Sequence, residues 1–120
     1  MKYRFVIDML PAGPNELLQV EDFYVHLRKE HEDWDILGTA GYYNRVGQWN
    51  KGGYTISGDF DGAPDADTVI GTVDAAVADA RAATANEYAK RGDRTLSAWP
   101  DMTITVFPLS RPAQTVKASL

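Results

Sequence analysis

The fold is decided by residues 53–91, which read GYTISGDFDGAPDADTVIGTVDAAVADARAATANEYAKR. The first eight residues alternate, with Tyr54, Ile56 and Phe60 on one side and polar side chains on the other. Because successive side chains of a strand point to opposite faces, this alternation predicts a strand with one buried face. The stretch as a whole therefore predicts a strand, a turn and a helix in succession.

The second half of the stretch predicts a long helix from Thr68 to about Arg91. Alanine, the best helix former, supplies much of it, and Gly92 is a natural stop. In the preceding turn, Asp65 or Asp67 is expected to cap the helix by accepting hydrogen bonds from its first amides. The stripe predicted to face the core consists of Ile70, Val73, Val77, Ala80, Thr84 and Tyr88.

A strand and a helix precede this unit at the start of the chain. Residues 2–10 alternate and predict a half-buried strand. Asn15 is expected to cap a helix that ends near His31. The core stripe predicted for this helix is Leu17, Val20, Tyr24 and Leu27.

Two further strands are predicted, at residues 35–45 and 102–109. The first has a nearly bare middle of glycine and alanine, which indicates a bulge or the close approach of a helix. A hairpin loop at 46–52, which holds Trp49, joins it to the strand at 53–60. Residues 95–99 are suited to an extra strand beside the last one, through the turn Pro100-Asp101.

The order strand, helix, strand, strand, helix, strand predicts a two-layer α+β sandwich. Right-handed crossovers in both strand-helix-strand units give a four-stranded antiparallel sheet with both helices on one face, the ferredoxin-like arrangement. A competing layout places the hairpin strands in a meander with a long edge formed by residues 95–109.

Composition indicates one soluble domain, assigned to residues 1–109, with 110–120 as a loosely ordered tail. The chain has 120 residues, of which 44% are hydrophobic and 24% charged. It contains no cysteine, which excludes disulfides, thiolate zinc sites and cysteine nucleophiles. No window approaches the roughly 18 apolar residues of a membrane span, and the N-terminus is a poor signal peptide. A cytoplasmic protein that binds no membrane is therefore expected.

The charge is unevenly distributed along the chain. The total of −5 argues against nucleic acid as a partner. Residues 1–80 hold fourteen acids and six bases, whereas residues 81–120 hold three acids and six bases. Two segments, residues 16–35 and 59–79, hold most of the acids. In the ferredoxin-like layout most of these acids meet at one end of the sheet, and a basic pole of Arg45, Lys51, Lys90 and Arg91 forms at the other. We call the first group the acidic pole: Glu30, Glu32, Asp33, Asp35, Asp61, Asp65 and Asp67.

None of the motifs that carry chemistry is complete in this sequence. On the calcium-loop template Asp59, Asp61 and Asp65 fall at ligand positions, but Ser57 and Thr68 occupy the two ends where a carboxylate belongs. The two histidines are five residues apart on a helix and point about 140° from each other, so they cannot clamp a metal. No phosphate-binding loop and no nucleophile motif is present. The sequence therefore predicts no catalytic residue, no metal and no cofactor.

Two hypotheses for the function remain open. The first is a non-catalytic accessory protein, acting for example as an inhibitor, that binds a protein partner or itself through an aromatic hairpin or the acidic pole. The second is a dimeric α+β barrel, an enzyme or a small-molecule-binding domain, with a cavity between two facing sheets. The residues predicted for partner binding are Tyr43, Trp49, Asp61, Asp65, Asp67, Glu32, Asp33 and Asp35. The residues predicted to line the alternative cavity are Arg4, Asp8, Tyr43, Ser57, Asp59, Thr105 and Phe107.

Overall fold

The computed structural model describes residues 1–43 and 49–109, and for 41–43 and 49–52 it describes the backbone alone. It contains four strands, two helices and one 3₁₀ turn. In chain order they are β1 (Lys2–Met9), α1 (Pro14–Glu30), the 3₁₀ turn (Glu32–Trp34), β2 (Leu37–Tyr43), β3 (Trp49–Asp61), α2 (Ala66–Arg91) and β4 (Met102–Pro108).

The strands form one antiparallel sheet in the order β2-β3-β1-β4. Within β1, Tyr3 lies opposite Phe60 on one side and Pro108 on the other. Two split strand-helix-strand units interleave in this way, so the ferredoxin-like prediction is confirmed. The meander layout is wrong, because β1 separates β3 from β4.

The core lies between one face of the sheet and the two helices. Alternate residues of β1 and β3 point into it, and Phe5, Ile7 and Ile56 are fully buried. Helix α1 contributes Phe23 and Leu27, which are also fully buried. From α2 the buried residues are Val69, Val73, Ala76, Val77, Ala80, Thr84 and Tyr88. The prediction that Ile70 faces the core is wrong, because this side chain is 40% exposed.

Two glycines leave room for aromatic rings in the core. A Cβ on Gly38 would lie 3.1 Å from the Tyr24 ring and 2.7 Å from the Tyr54 hydroxyl. A Cβ on Gly58 would lie 2.5 Å from the ring of Phe5, its cross-strand neighbour. The bare middle of β2 thus permits the close approach of α1, and the strand also has a register shift between Ala40 and Tyr42. Both expectations for β2 are confirmed.

The helix ends follow the predictions in part. Helix α1 begins at Pro14 with Gly13 as its N-cap, without a side-chain cap, so Asn15 is not the cap. Proline suits the first turn because its missing N–H is one that the helix leaves unbonded. Helix α2 is capped as predicted, with Asp65 accepting from the Thr68 N–H at 2.8 Å.

The segment that joins α2 to β4 is held by a side chain. Gln19 of α1, 1% exposed, donates from Nε2 to the Ser97 carbonyl at 3.0 Å and accepts from the Ser97 N–H at 2.7 Å. The Gln19 amide thus occupies the N–H and the C=O of Ser97, which would otherwise hydrogen-bond to a neighbouring strand. The extra strand predicted at 95–99 is therefore absent from the described structure.

The second strand of the hairpin, β3, begins earlier than predicted. Trp49 begins β3 and lies opposite Tyr43 of β2, so its backbone belongs to the sheet and not to a loop. The predicted tail at 110–120 lies outside the described residues.

Candidate interaction site

The topology places the acidic pole at one end of the sheet. Strand β3 ends there at Asp61, which lies opposite Lys2, the first residue of β1. Helix α1 and the 3₁₀ turn reach the same end, and α2 begins from it. All seven carboxylates of the acidic pole are exposed. The two acidic segments of the sequence thus meet, as predicted.

These carboxylates are largely free of partners within the described part of the chain. Only Asp65 is engaged, through the Thr68 N–H and the Thr68 hydroxyl, and these hydrogen bonds hold the pKa of Asp65 below its ordinary value. None of the seven takes part in the five ion pairs found between described residues. Three bases, Lys2, Arg28 and Lys29, lie at the same end, so the acids outnumber the bases there.

Aromatic packing fixes the backbone beneath the acidic pole. Trp34, 6% exposed, packs edge-on against Phe5 with ring centroids 5.7 Å apart and lies 5.3 Å from Phe60. His31 stacks on its other side at 3.8 Å. The turn that carries Glu32, Asp33 and Asp35 is therefore anchored to β1 and β3.

The basic pole is described only in part, and one of its described members is paired. Arg91 is paired with Glu87 at 3.1 Å and with Asp93 at 3.4 Å. Lys90 is exposed at the end of α2. Arg45 lies outside the described residues, and of Lys51 only the backbone is described. The described cations at this end are thus partly neutralised by their own neighbours, whereas the acids of the acidic pole are not.

The structure describes the strand backbone of the aromatic hairpin but only some of its side chains. Trp34 and Tyr54, two aromatic residues that flank the hairpin in the sequence, are each 6% exposed and belong to the core. Burial raises the pKa of Tyr54, and the nearby Glu21 carboxylate adds to this effect. For Tyr43 and Trp49 the backbone is paired but the side chains lie outside the description. An aromatic docking surface is therefore not defined by the described residues.

The face of the sheet away from the helices, which we call the open face, collects the residues predicted for the alternative cavity. Arg4 donates to Asp59 from Nε at 2.9 Å and from Nη2 at 3.3 Å, which raises the pKa of Arg4. Thr55 donates to Asp8 at 2.9 Å. Apart from Tyr43, whose side chain is not described, the remaining predicted members on this face are Ser57, Thr105 and Phe107. The described residues leave the open face uncovered, and Arg4, Asp59 and Asp8 are hydrogen-bonded within it.

The described residues contain no group of three or more His, Asp or Glu side chains that could hold a metal ion. Of the residues on the calcium template, Asp59 is bound by Arg4 and Asp65 caps α2. His26 forms a 2.7 Å hydrogen bond with Glu87 of α2, which lowers the pKa of Glu87. This hydrogen bond between the two helices could not be predicted from the residues near either partner.

The fold and the site define a two-layer α+β sandwich of ferredoxin-like topology with an exposed acidic end. Comparisons with protein-family models, with curated proteins and with solved structures find no match for this chain. Within the described residues, neither helix combines the length and the apolar character needed to cross a bilayer.

Proposed function

We propose that this chain is a non-catalytic accessory protein that binds a basic surface of a protein partner through its acidic pole. The proposal is carried by one observation, the concentration of seven exposed carboxylates at one end, six of them without a hydrogen bond or ion pair among the described residues. Like charges brought together raise the free energy of the unbound protein, and a cationic partner relieves that repulsion.

The anchored backbone supports this function. Because the core packing of Trp34 fixes the turn that carries Glu32, Asp33 and Asp35, the carboxylates are presented without a large ordering cost on binding. Exposed charges of this kind steer association and make it sensitive to salt, because ions screen them beyond about 10 Å at 0.1 M. Binding to the partner should therefore weaken steeply as salt is added.

The test compares two variants with the same change in net charge. In the pole variant, Asp33, Asp61 and Asp67 are each replaced by asparagine. In the control variant, the exposed acids Asp74, Asp79 and Asp101, which lie outside the acidic pole, are replaced in the same way.

Immobilised wild type and control variant should retain the same proteins from a cell lysate and release them as salt rises. The pole variant should lose them. Retention of the same proteins by all three would reject the acidic pole as the binding surface.

A second candidate is a face-to-face dimer that encloses a small-molecule cavity. It is supported by the open face, which the described residues leave uncovered and on which Arg4, Asp59 and Asp8 form a polar surface. Such a barrel requires two copies, so a monomeric mass in solution would reject it. If the chain is dimeric, the substitution Phe107→Lys on the open face should separate the copies.

A further inference from the structure

Helix α1 has two flanks, and its side-chain hydrogen bonds to α2 lie on one of them. On the flank toward α2, His26 bonds to Glu87 and Asp22 accepts from the Tyr88 hydroxyl at 2.6 Å. The opposite flank lies over β2, where the Tyr24 ring approaches Gly38. Glu21 and Arg28 stand on this flank on either side of Tyr24 along the helix. Arg28 donates to the Tyr24 hydroxyl at 3.2 Å, and neither Glu21 nor Arg28 forms an ion pair with a described residue.

Strand β2, beneath this flank, is one of the two edges of the sheet. Every second residue of an edge strand directs its N–H and C=O away from the sheet. Proteins commonly protect such edges with charged side chains or proline, yet β2 reads LGTAGYY and has neither. Leu37 at its start is 67% exposed, and Gly38 and Ala40 offer little steric obstacle to an approaching strand. The other edge, β4, ends in Pro108, which has no N–H to donate.

We propose that two copies of this chain associate side by side through β2 and the adjoining flank of α1. Their sheets join into one antiparallel sheet of eight strands, with all four helices on the same face. The proposal is independent of the acidic pole, because it uses Glu21, Tyr24 and Arg28 of α1 and the main chain of residues 37–40.

Spacing permits the helices to meet in this arrangement. Helix α1 contacts both β2 and β3, so its axis lies between them. With strands about 4.8 Å apart, the axis is about 2.4 Å inside β2 and about 5 Å from the line midway between two paired β2 strands. The two copies of α1 are then about 10 Å apart, at the upper end of the interaxial distances of packed helices.

Charge complementarity favours a second copy as the occupant. A twofold axis makes the two α1 helices antiparallel, and Glu21 and Arg28 are seven residues apart, about two helical turns. When the axis passes midway between them, Glu21 of each copy lies opposite Arg28 of the other. Both pairs form at once, and the Tyr24 rings lie near the centre.

The same axis falls on the regular part of β2. Because the Tyr24 ring lies over Gly38, an axis near Tyr24 passes close to Gly38 and Thr39. The strands of the two copies then pair over residues 37–40, which precede the register shift between Ala40 and Tyr42. A cleft of about 510 Å³ lies beside Arg28, and its lining also contains Lys29, Leu37, Glu32 and Asp35.

The test is a charge-reversal cycle followed by sedimentation equilibrium. Wild type should have about twice the monomer mass of 13.3 kDa. Glu21→Lys and Arg28→Glu each place like charges opposite one another at two symmetric positions, and each should weaken the dimer by about tenfold or more. The double variant Glu21→Lys/Arg28→Glu restores opposite charges and should restore the dimer.

Two further measurements separate this dimer from the alternatives. Phe107→Lys on the open face should leave the mass unchanged, and the amides of residues 37–40 should exchange faster in the Arg28→Glu variant than in wild type. A monomeric wild type, a dimer that neither reversal weakens, or a double variant that stays dissociated would each overturn the proposal. Dissociation by Phe107→Lys alone would instead assign the contact to the open face.

Discussion

Replacing Gly58 by alanine should destabilise the protein, although alanine is usually the better residue. Gly58 lies within β3, so its extended backbone suits any residue, and the obstacle is space. A Cβ there would lie 2.5 Å and 2.7 Å from two carbons of the Phe5 ring and 3.0 Å from the Trp34 carbonyl oxygen. Phe5 cannot move aside easily, because it is fully buried and packs against the Trp34 ring.

Two opposing effects set the change in the free energy of unfolding caused by Gly58→Ala. Forcing an extra carbon into a filled core costs about 1–3 kcal/mol. The smaller entropy of the unfolded chain with alanine returns about 0.4–1 kcal/mol. The free energy of unfolding should therefore fall by about 1–2 kcal/mol. Gly71 is the matched control: it is an exposed position of α2 with no atom within 4 Å of an added Cβ, so Gly71→Ala should stabilise the protein by about 0.5–1 kcal/mol.

Urea denaturation, followed by tryptophan fluorescence, measures both effects. The two variants should differ from each other by about 1.5–3 kcal/mol in the free energy of unfolding, with wild type between them. Adding Phe5→Leu to Gly58→Ala should cost less than the sum of the single changes, because the shorter side chain makes room. A Gly58→Ala variant as stable as wild type would refute the contact between Phe5 and Gly58.

Three other predictions concern the bonds that join the elements. Gln19→Leu puts an apolar side chain of comparable size in place of the amide and leaves the main-chain groups of Ser97 unpaired, and chemical denaturation should show a loss of about 1–3 kcal/mol. Asp65→Ala should lower the thermal midpoint of unfolding, whereas Asp65→Asn, which also caps, should largely preserve it; equal losses would contradict the cap. The depressed pKa of Glu87 means that its bond to His26 adds stability above the unfolded pKa and loses it as pH falls through the folded pKa. In His26→Ala the Glu87 pKa, followed by NMR, should rise toward its ordinary value, and an unchanged pKa would exclude the bond as its cause.

Element types were predictable because they depend on local periodicity. The strand at 53–60 and the helix that ends at Gly92 follow from alternation, alanine content and a capping aspartate, all read within a few residues. The stripe of α2 was less certain for a physical reason. In an alanine-rich helix, stripes centred on Val69 or on Ile70 contain similar residues, and the surrounding sheet decides between them.

Pairings between distant residues could not be predicted. Gln19 and Ser97 are 78 positions apart, and nothing near either residue indicates that an amide side chain will replace a strand. The acidic pole could be predicted, because it follows from topology and the ends of elements. The pairing of Arg91 with Glu87 and Asp93 could not be predicted, because it depends on how α2 ends.

The central place of β1 has a consequence for how the chain is made. Strand β1 is synthesised first, yet it lies between β3 and β4, with Tyr3 opposite Pro108. At about 5–20 residues per second, the nascent chain waits about 5–20 s between the emergence of β1 and that of β4. Two-state domains of this mixed type fold within about milliseconds to seconds once their strands are present. Translation is therefore slower than folding and limits when the sheet is completed. Throughout that interval the side of β1 that later pairs with β4 is a strand edge on which nascent chains can aggregate.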